Sequence, residues 1–366
     1  MSDKIKVGVI FGGRSAEHEV SLQSAKNVIQ AINRDKYDVV LIGIDKEGRW
    51  YLNDETKYLL NSDNPKLIKL NNSSEELSLI PGGGYNNFYN ISKHEIINNI
   101  DVVFPVLHGT FGEDGTIQGM LKLADMPFVG AGVLGSAVGM DKDVMKRLWR
   151  DAGIPIAGFL VFDRTSAKNC NFKSIRDKLG MPVFVKPANL GSSVGISKVN
   201  TAGELDKAMN LAFQYDNKII IEENIIGREI ECSVLGNEEP IASIPGEIIP
   251  HHEFYSYEAK YIDEKGSSLE IPAKLDKNTA EKVQTLAVEA YKALCCEGMA
   301  RVDFFLRGDN EVIVNEINTI PGFTRISMYP KLWEASGISY PELIDKLIQL
   351  AIDRFKRDGR LKTTFE

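Results

Sequence analysis

Cysteine is scarce in this chain of 366 residues, which has four: Cys170, Cys232 and the adjacent Cys295 and Cys296. That number and spacing build neither a disulfide framework nor a Cys-x-x-Cys metal site, so a reducing, cytoplasmic setting is expected. No apolar run approaches the roughly 18 residues that a membrane-crossing helix needs. The opening stretch MSDKIKVGVIFGG turns apolar only for a strand's length before its glycines, too briefly for a signal peptide. Positive charge is in deficit: 43 Lys and Arg against 51 Asp and Glu leave a net charge of −8. The excess repels phosphate backbones and anionic lipids, so neither nucleic acid nor a membrane surface is an expected partner; a local basic pocket for a small anion stays open. What is present is ordinary globular material, 43% hydrophobic and 26% charged, enough for two or three domains.

Residues 4–11 (KIKVGVIF) read as a buried strand running into Gly12-Gly13, followed by a helical pattern from His18 to Ile32. Further strands are expected at 38–44 and 100–107, which together suggest a parallel sheet. Residues 53–99, rich in Asn, Ser, Lys and Gly, read as an irregular surface excursion. Beyond 140 the pattern changes. A short helix at 143–151 precedes strand-like PVFVKPA, the loop NLGSSVG, a helix at 203–215 and the strand KIIIEEN. Helices at 278–294 and 341–356 bury Val283, Leu286, Ala287, Ala290 and Leu294, and Leu343, Leu347, Ile348 and Ala351. The division this suggests is three domains, at 1–140, 141–230 and 231–366.

The hairpin at 299–318 holds the most chemistry. Arg301 and Asp303 share one strand face, as do Glu316 and Asn318. A two- or four-residue turn would pair positions whose numbers sum to an odd value, bringing all four to one face. Two carboxylates and a carboxamide are hard oxygen donors suited to Mg²⁺; a solvated face with an Arg301–Glu316 ion pair is the other reading.

In the loop 189–195, glycines and the serines Ser192 and Ser193 can cradle a phosphate, although a plain hairpin turn would look the same. Lys186 lies in an otherwise apolar strand and needs an anion beside it. Lys142, just before a helix, is a second candidate for an anion, although a lone lysine there is usually solvated. Glu222 and Glu223 end an apolar strand, where acids either solubilise or bind a nucleoside. Glu17 falls in the first turn after a strand, complementing a helix dipole or receiving an ammonium. His108 stands in the loop LHGTFGEDG, beyond a strand end where α/β sheets bind ligands. Gly12-Gly13 lacks the third glycine of a dinucleotide fingerprint, which weighs against a nicotinamide-dependent oxidoreductase. The stretch 252–266, with Tyr255, Tyr257 and Tyr261, has the makeup of a lid. In NTIPGFT, Gly322 can aim its N–H into the site of Arg301.

Together, GGRSAEHEVS, LHGTFGEDGTIQG, MDK, VKPANLGSSVG, AKY, MARVDFF and NEINTIPGFTRISMYP, in this order along nearly the whole chain, closely resemble the D-alanine–D-alanine ligases of the ATP-grasp superfamily. The resemblance implies an α/β and α+β, three-domain ATP-grasp architecture with an N-terminal parallel-sheet domain and a lid at 252–266. It implies ligation of two D-alanine molecules with ATP through an acyl phosphate, in a cytoplasmic homodimer that makes peptidoglycan precursors. Lys142, Lys186, Ser193 and Lys260 would meet the ATP phosphates, and Glu222, Glu223, Ile225 and Glu229 adenine and ribose. Glu223 replaces a lysine of some relatives, which points to a backbone contact. Asp303, Glu316 and Asn318 would bind two Mg²⁺ or Mn²⁺, Glu316 bridging. Glu17, linked to Ser192 and Tyr261, would take the first ammonium. Arg301 and the Gly322 N–H would bind the first carboxylate and later the oxyanion. Ser327 would bind the second carboxylate, with His108 and Met328 lining the substrate site. Relatives specific for D-lactate or D-serine change the lid near the tyrosine and the residue after the serine; Tyr261 and Met328 follow the D-alanine pattern. A non-catalytic amino-acid-binding protein would not need the acidic hairpin.

Overall fold

The computed structural model describes residues 4–83, 87–97, 100–192, 194–251, 267–308, 310–362 and 364–365. The strands of the first sheet region are β1 (Ile5–Gly12), β2 (Tyr37–Ile44), β3 (Trp50–Asn53), β4 (Leu59–Leu60), β5 (Lys69–Leu70), β6 (Glu76–Leu79), β7 (Phe88–Asn90), β8 (Glu95–Ile97) and β9 (Val102–Val106). β1 runs parallel to β2 on one side and to β9 on the other. Six consecutive residues of β1 are buried, which is why it reads as a continuous apolar run. α1 (His18–Ala31) returns the chain between β1 and β2.

The segment 53–99 is not the irregular excursion its composition suggests. β3, β6, β7 and β8 extend the sheet antiparallel, in the order β8-β7-β6-β3-β2-β1-β9, while β4 and β5 pair with each other. These strands are only two to four residues long. Few of their side chains, chiefly Leu77, Leu79 and Phe88, reach the core, so little apolar alternation is left to see.

α2 (Thr116–Leu123), α3 (Val133–Met140) and α4 (Lys142–Asp151) follow. Asp141 caps α4 by accepting the N–H groups of Asp143 and Val144, both at 3.1 Å. The next sheet holds β10 (Phe159–Asp163), β11 (Val183–Pro187), β12 (Ser197–Val199) and β13 (Lys218–Glu223), with α5 (Phe172–Leu179) and α6 (Ala202–Ala212). It is antiparallel throughout, ordered β10-β13-β11-β12. The third sheet holds β14 (Arg228–Gly236), β15 (Ile241–Ala242), β16 (Gly246–Pro250), β17 (Ser267–Glu270), β18 (Gly298–Arg307) and β19 (Glu311–Asn318), also antiparallel. α7 (Lys277–Ala293) covers its inner face, and α8 (Met328–Ala335) and α9 (Tyr340–Asp358) close the chain.

The cores cross the sequence. Met145 and Trp149 of α4 pack with α7, β14, β18 and β19, and the Trp149 indole N–H donates to the Ala290 carbonyl at 3.0 Å. Phe323, Tyr329, Trp333, Leu343, Leu347 and Ala351 join Val7, Phe11, Leu22 and Phe104 in the core of the first sheet. The last helix thus lies on the N-terminal sheet. Arg354 fixes it there: the buried guanidinium donates to the Gly130 and Phe128 carbonyls at 2.5 and 2.7 Å and stacks 4.5 Å from the Phe128 ring. Arg354→Met should leave both buried carbonyls without this donor and lower stability by about 2–4 kcal/mol. Urea titration followed by tryptophan fluorescence measures it, and an unchanged midpoint would mean that apolar contacts alone hold the helix.

Candidate active site

Three adjacent strands of the third sheet present one polar face. Across β18 and β19, Arg301 pairs with Asn318 and Asp303 with Glu316; across β14 and β18, Glu231 pairs with Asp303. The odd-sum pairing holds here for a different reason than a short even turn. Arg307 pairs with Glu311, so three residues separate the strands and the pairing sums start even. A bulge between Phe304 and Asp303 absorbs Asn315 and shifts the register by one. Val312, Val314 and Ile317 therefore all reach the core while Glu316 and Asn318 turn to the opposite face. The ion pairs also differ from the simple cross-strand expectation. Arg301 is bidentate to Asp303 at 2.7 and 2.6 Å and lies 2.9 Å from Glu231, and Asn318 donates to Asp303 at 3.0 Å.

Facing this across a cleft of about 410 Å³ is the second sheet. Lys186 of β11 does have its anion, but the anion belongs to the protein: Glu222 of β13, at 2.5 Å. Lys146 of α4, 1% exposed, contacts the other oxygen of the same carboxylate. Burial pushes the Glu222 carboxyl up, yet the two lysines outweigh it and hold it at about 2. Burial likewise opposes the charge on Lys186, but Glu222 more than compensates and raises it. Lys142 is held low, by burial first. It binds the loop after β11 twice, through its backbone N–H to the Ala188 carbonyl at 2.9 Å and its ammonium to Leu190 O at 2.7 Å. Glu223 accepts the Gly158 N–H at 2.7 Å, so its side chain too is engaged. Ile225 and Glu229 line the same cleft.

The third wall comes from the N-terminal domain. Ser192, with left-handed backbone at φ +54°, donates its hydroxyl to the buried Glu17 carboxylate. Gly109, at φ +72°, lets Glu17 approach, since a Cβ there would stand 2.4 Å from the carboxylate oxygen. His108 lines the cleft, but both ring nitrogens are committed: Nδ1–H donates to the Ile320 carbonyl and Nε2 accepts from the Ser24 hydroxyl, each at 3.0 Å. Burial holds this imidazole neutral, at about 4. Gly322 and Ser327 adjoin each other, a Cβ at 322 meeting Ser327 Oγ at 2.7 Å. Ser327 precedes α8 and lines the cleft with Met328, whose side chain packs on Ile248 and Leu332. Ser193, Lys260, Tyr261 and the stretch 252–266 lie outside the described residues.

Every other expected site residue lines this one cleft. Three residues escaped sequence reading: Glu113 and Glu231, which line the cleft, and Lys146, buried behind Glu222. Lys146 looks like one more solvated lysine in KDVMKRLWRD. Glu113 hides in a glycine-rich turn; burial and the charge of Glu17 push its carboxyl up to about 8. Glu231 did have a signal, the alternation Glu229, Glu231, Ser233 in a strand. Among the described residues no cluster of three or more His, Cys, Asp or Glu could hold a metal alone. Asp303, Glu316 and Asn318 supply the partial oxygen set that suits Mg²⁺ when phosphate oxygens and water complete it. No helix among the described residues is long and apolar enough to cross a membrane.

Comparison with known proteins agrees along the whole chain. Residues 6–131 match the family model of the D-ala D-ala ligase N-terminus, and residues 148–349 that of the D-ala D-ala ligase C-terminus. The D-alanine–D-alanine ligase of Oceanobacillus iheyensis is 56% identical, over 99% of each chain. The D-alanine-D-alanine ligase structure from Coxiella burnetii superposes with a TM-score of 0.85 at 39% identity, covering 98% of this chain and 97% of that one. The VanG D-Ala:D-Ser ligase of Enterococcus faecalis gives 0.84 at 41%, covering 95% and 100%. With both family models matched in order and relatives alike from end to end, the chain belongs to the D-alanine–D-alanine ligase family and has its ATP-grasp fold.

Proposed function

We propose that this cleft joins two D-alanines through an acyl phosphate, consuming one ATP, with the residues in the roles that follow. Family membership supports the ATP-dependent ligation and its place in peptidoglycan precursor synthesis. The observation that carries the residue roles is the convergence of an acidic hairpin face, a lysine-lined sheet and the Glu17–Ser192 corner on one cleft.

Glu17 takes the ammonium of the first D-alanine, and Arg301 with the Gly322 N–H its carboxylate. A carboxylate is a poor acyl donor until phosphorylated, and phosphoryl transfer needs its charge neutralised and its partners in line. Lys142 and Lys186 face the phosphates, with Ser193 and Lys260 joining them on sequence grounds. The Glu222 and Glu223 side chains are already engaged, so the adenine is read by backbone at 223–225 and the ribose by Glu229. Two Mg²⁺ or Mn²⁺ ions held by Asp303, Glu316 and Asn318 would neutralise the transferring phosphoryl group. Ser327 binds the second carboxylate. The second amine then attacks the acyl phosphate, and Arg301 and the Gly322 N–H hold the oxyanion. That intermediate hydrolyses in open water, a need the stretch 252–266 with Tyr261 would meet. Family membership likewise supports a cytoplasmic homodimer.

Glu316→Gln keeps the shape and removes the charge, and should cut ligation by several powers of ten, on the order of 4 kcal/mol, with an unchanged unfolding midpoint. Turnover like that of the parent protein at saturating Mg²⁺ would sink the metal assignment. Lys146→Met removes one of the two cations on Glu222. A carboxyl held low adds stability that is full above its unfolded value near 4.5 and is lost as pH falls toward 2. The variant should therefore be less stable at neutral pH, show a flatter acid limb between pH 4.5 and 2, and bind ATP about tenfold more weakly. An unaltered acid limb would show that Lys186 alone holds the charge.

A further inference from the structure

We infer that His108 and Glu113 are positioning residues for the Gly322 N–H, gripping the Ile320 backbone from both sides, one at its C=O and the other at its N–H. The inference rests on the reading of Gly322 as an oxyanion donor. The His108 Nδ1–H donates to the Ile320 carbonyl at 3.0 Å, and a Glu113 carboxyl oxygen accepts the Ile320 N–H at 3.2 Å. The other Glu113 oxygen accepts the Gly109 N–H at 2.7 Å, so one carboxyl ties the loop after β9 to the loop after β19. The far side of the turn is held by the same relay: Phe323 N–H donates to Ser24 Oγ at 3.2 Å, and that hydroxyl in turn donates to His108 Nε2 at 3.0 Å.

Between these anchors stand only Pro321 and Gly322. Proline fixes its own φ, so the aim of the Gly322 N–H follows from where residues 320 and 323 are pinned. The pins also determine what the ring must be. A carbonyl only accepts, so Nδ1 carries the proton, and Nε2 is left as acceptor in a neutral imidazole. An oxyanion donor has to meet its target within a few tenths of an ångström, and misplacement near 1 Å costs about a hundredfold in rate. Substrate contact is not needed for either side chain to matter; both act through the backbone they hold.

The test compares Glu113→Gln, His108→Asn, His108→Ala and the double variant Glu113→Gln/His108→Ala in the full chain. The readouts are D-Ala-D-Ala formation, KM for ATP and for D-alanine, and the unfolding midpoint. An amide at 113 accepts one N–H and opposes the other, so Glu113→Gln should lower kcat about 10–100-fold with KM for ATP within about threefold. Asparagine at 108 can still donate to Ile320 from the Nδ1 position, so it should retain several times more kcat than alanine. Because both residues pin the backbone of the same residue, Ile320, the double variant should lose little more than the worse single one. Arg354→Met, which loosens the same domain contact elsewhere, should lower the midpoint and leave kcat within about threefold. If His108→Ala does not fold, Glu113→Gln and His108→Asn still decide. Unchanged kcat in Glu113→Gln and His108→Asn, or losses that track the midpoint with Arg354→Met falling in line, would overturn the inference. Failure of the unsubstituted protein to form dipeptide would instead overturn the function on which it rests.

Discussion

One extra residue in β19 decides which way the acidic side chains of the hairpin face. Strand side chains alternate, so a three-residue separation with regular pairing would leave Glu316 on the same face as Val314. Asn315, taken up in a bulge, lets Val314 and Ile317 both reach the core and sends Glu316 and Asn318 to the cleft beside Arg301 and Asp303. A carboxylate directed into that core would be desolvated without a partner, so packing and chemistry demand the same register. The rest of the site is assembled around the face this creates.

The opposite wall solves a harder electrostatic problem. Lys146, Lys186 and Glu222 are all withdrawn from water, where charges are costly unless closely paired. One carboxylate shared by two ammonium groups leaves that trio with a net positive charge, and Lys142 lies in the same cleft. The proposed phosphate site draws on this local surplus, on one wall of a cleft in a chain of net charge −8. It suits a polyphosphate without requiring a phosphate-binding helix N-terminus of the P-loop kind.

How much of this could be read beforehand depends on whether the signal was local. Arg301, Asp303, Glu316 and Asn318 show themselves by period-two spacing, and even the bulge leaves a trace in the step from Val314 to Ile317. Lys186 is conspicuous because it interrupts an apolar strand. Lys146 is not, since nothing within α4 says that β13 will close over it with Glu222. Glu113 and the Ile320 peptide lie 207 residues apart and meet only when the last helix docks on the first sheet. The strands within 53–99 are too short and too little buried to imprint a pattern. What long-range packing creates, a window of neighbouring residues does not contain.

The most direct test of the account is a product assay with the unsubstituted protein, ATP and Mg²⁺. D-Alanine is supplied alone or with D-serine or D-lactate as competing acceptor, and ADP and ligated product are quantified together. The account predicts one ADP per D-Ala-D-Ala and little mixed product at neutral pH. ATP hydrolysis without dipeptide, or D-Ala-D-Ser or D-Ala-D-lactate formed as readily as D-Ala-D-Ala, would contradict it.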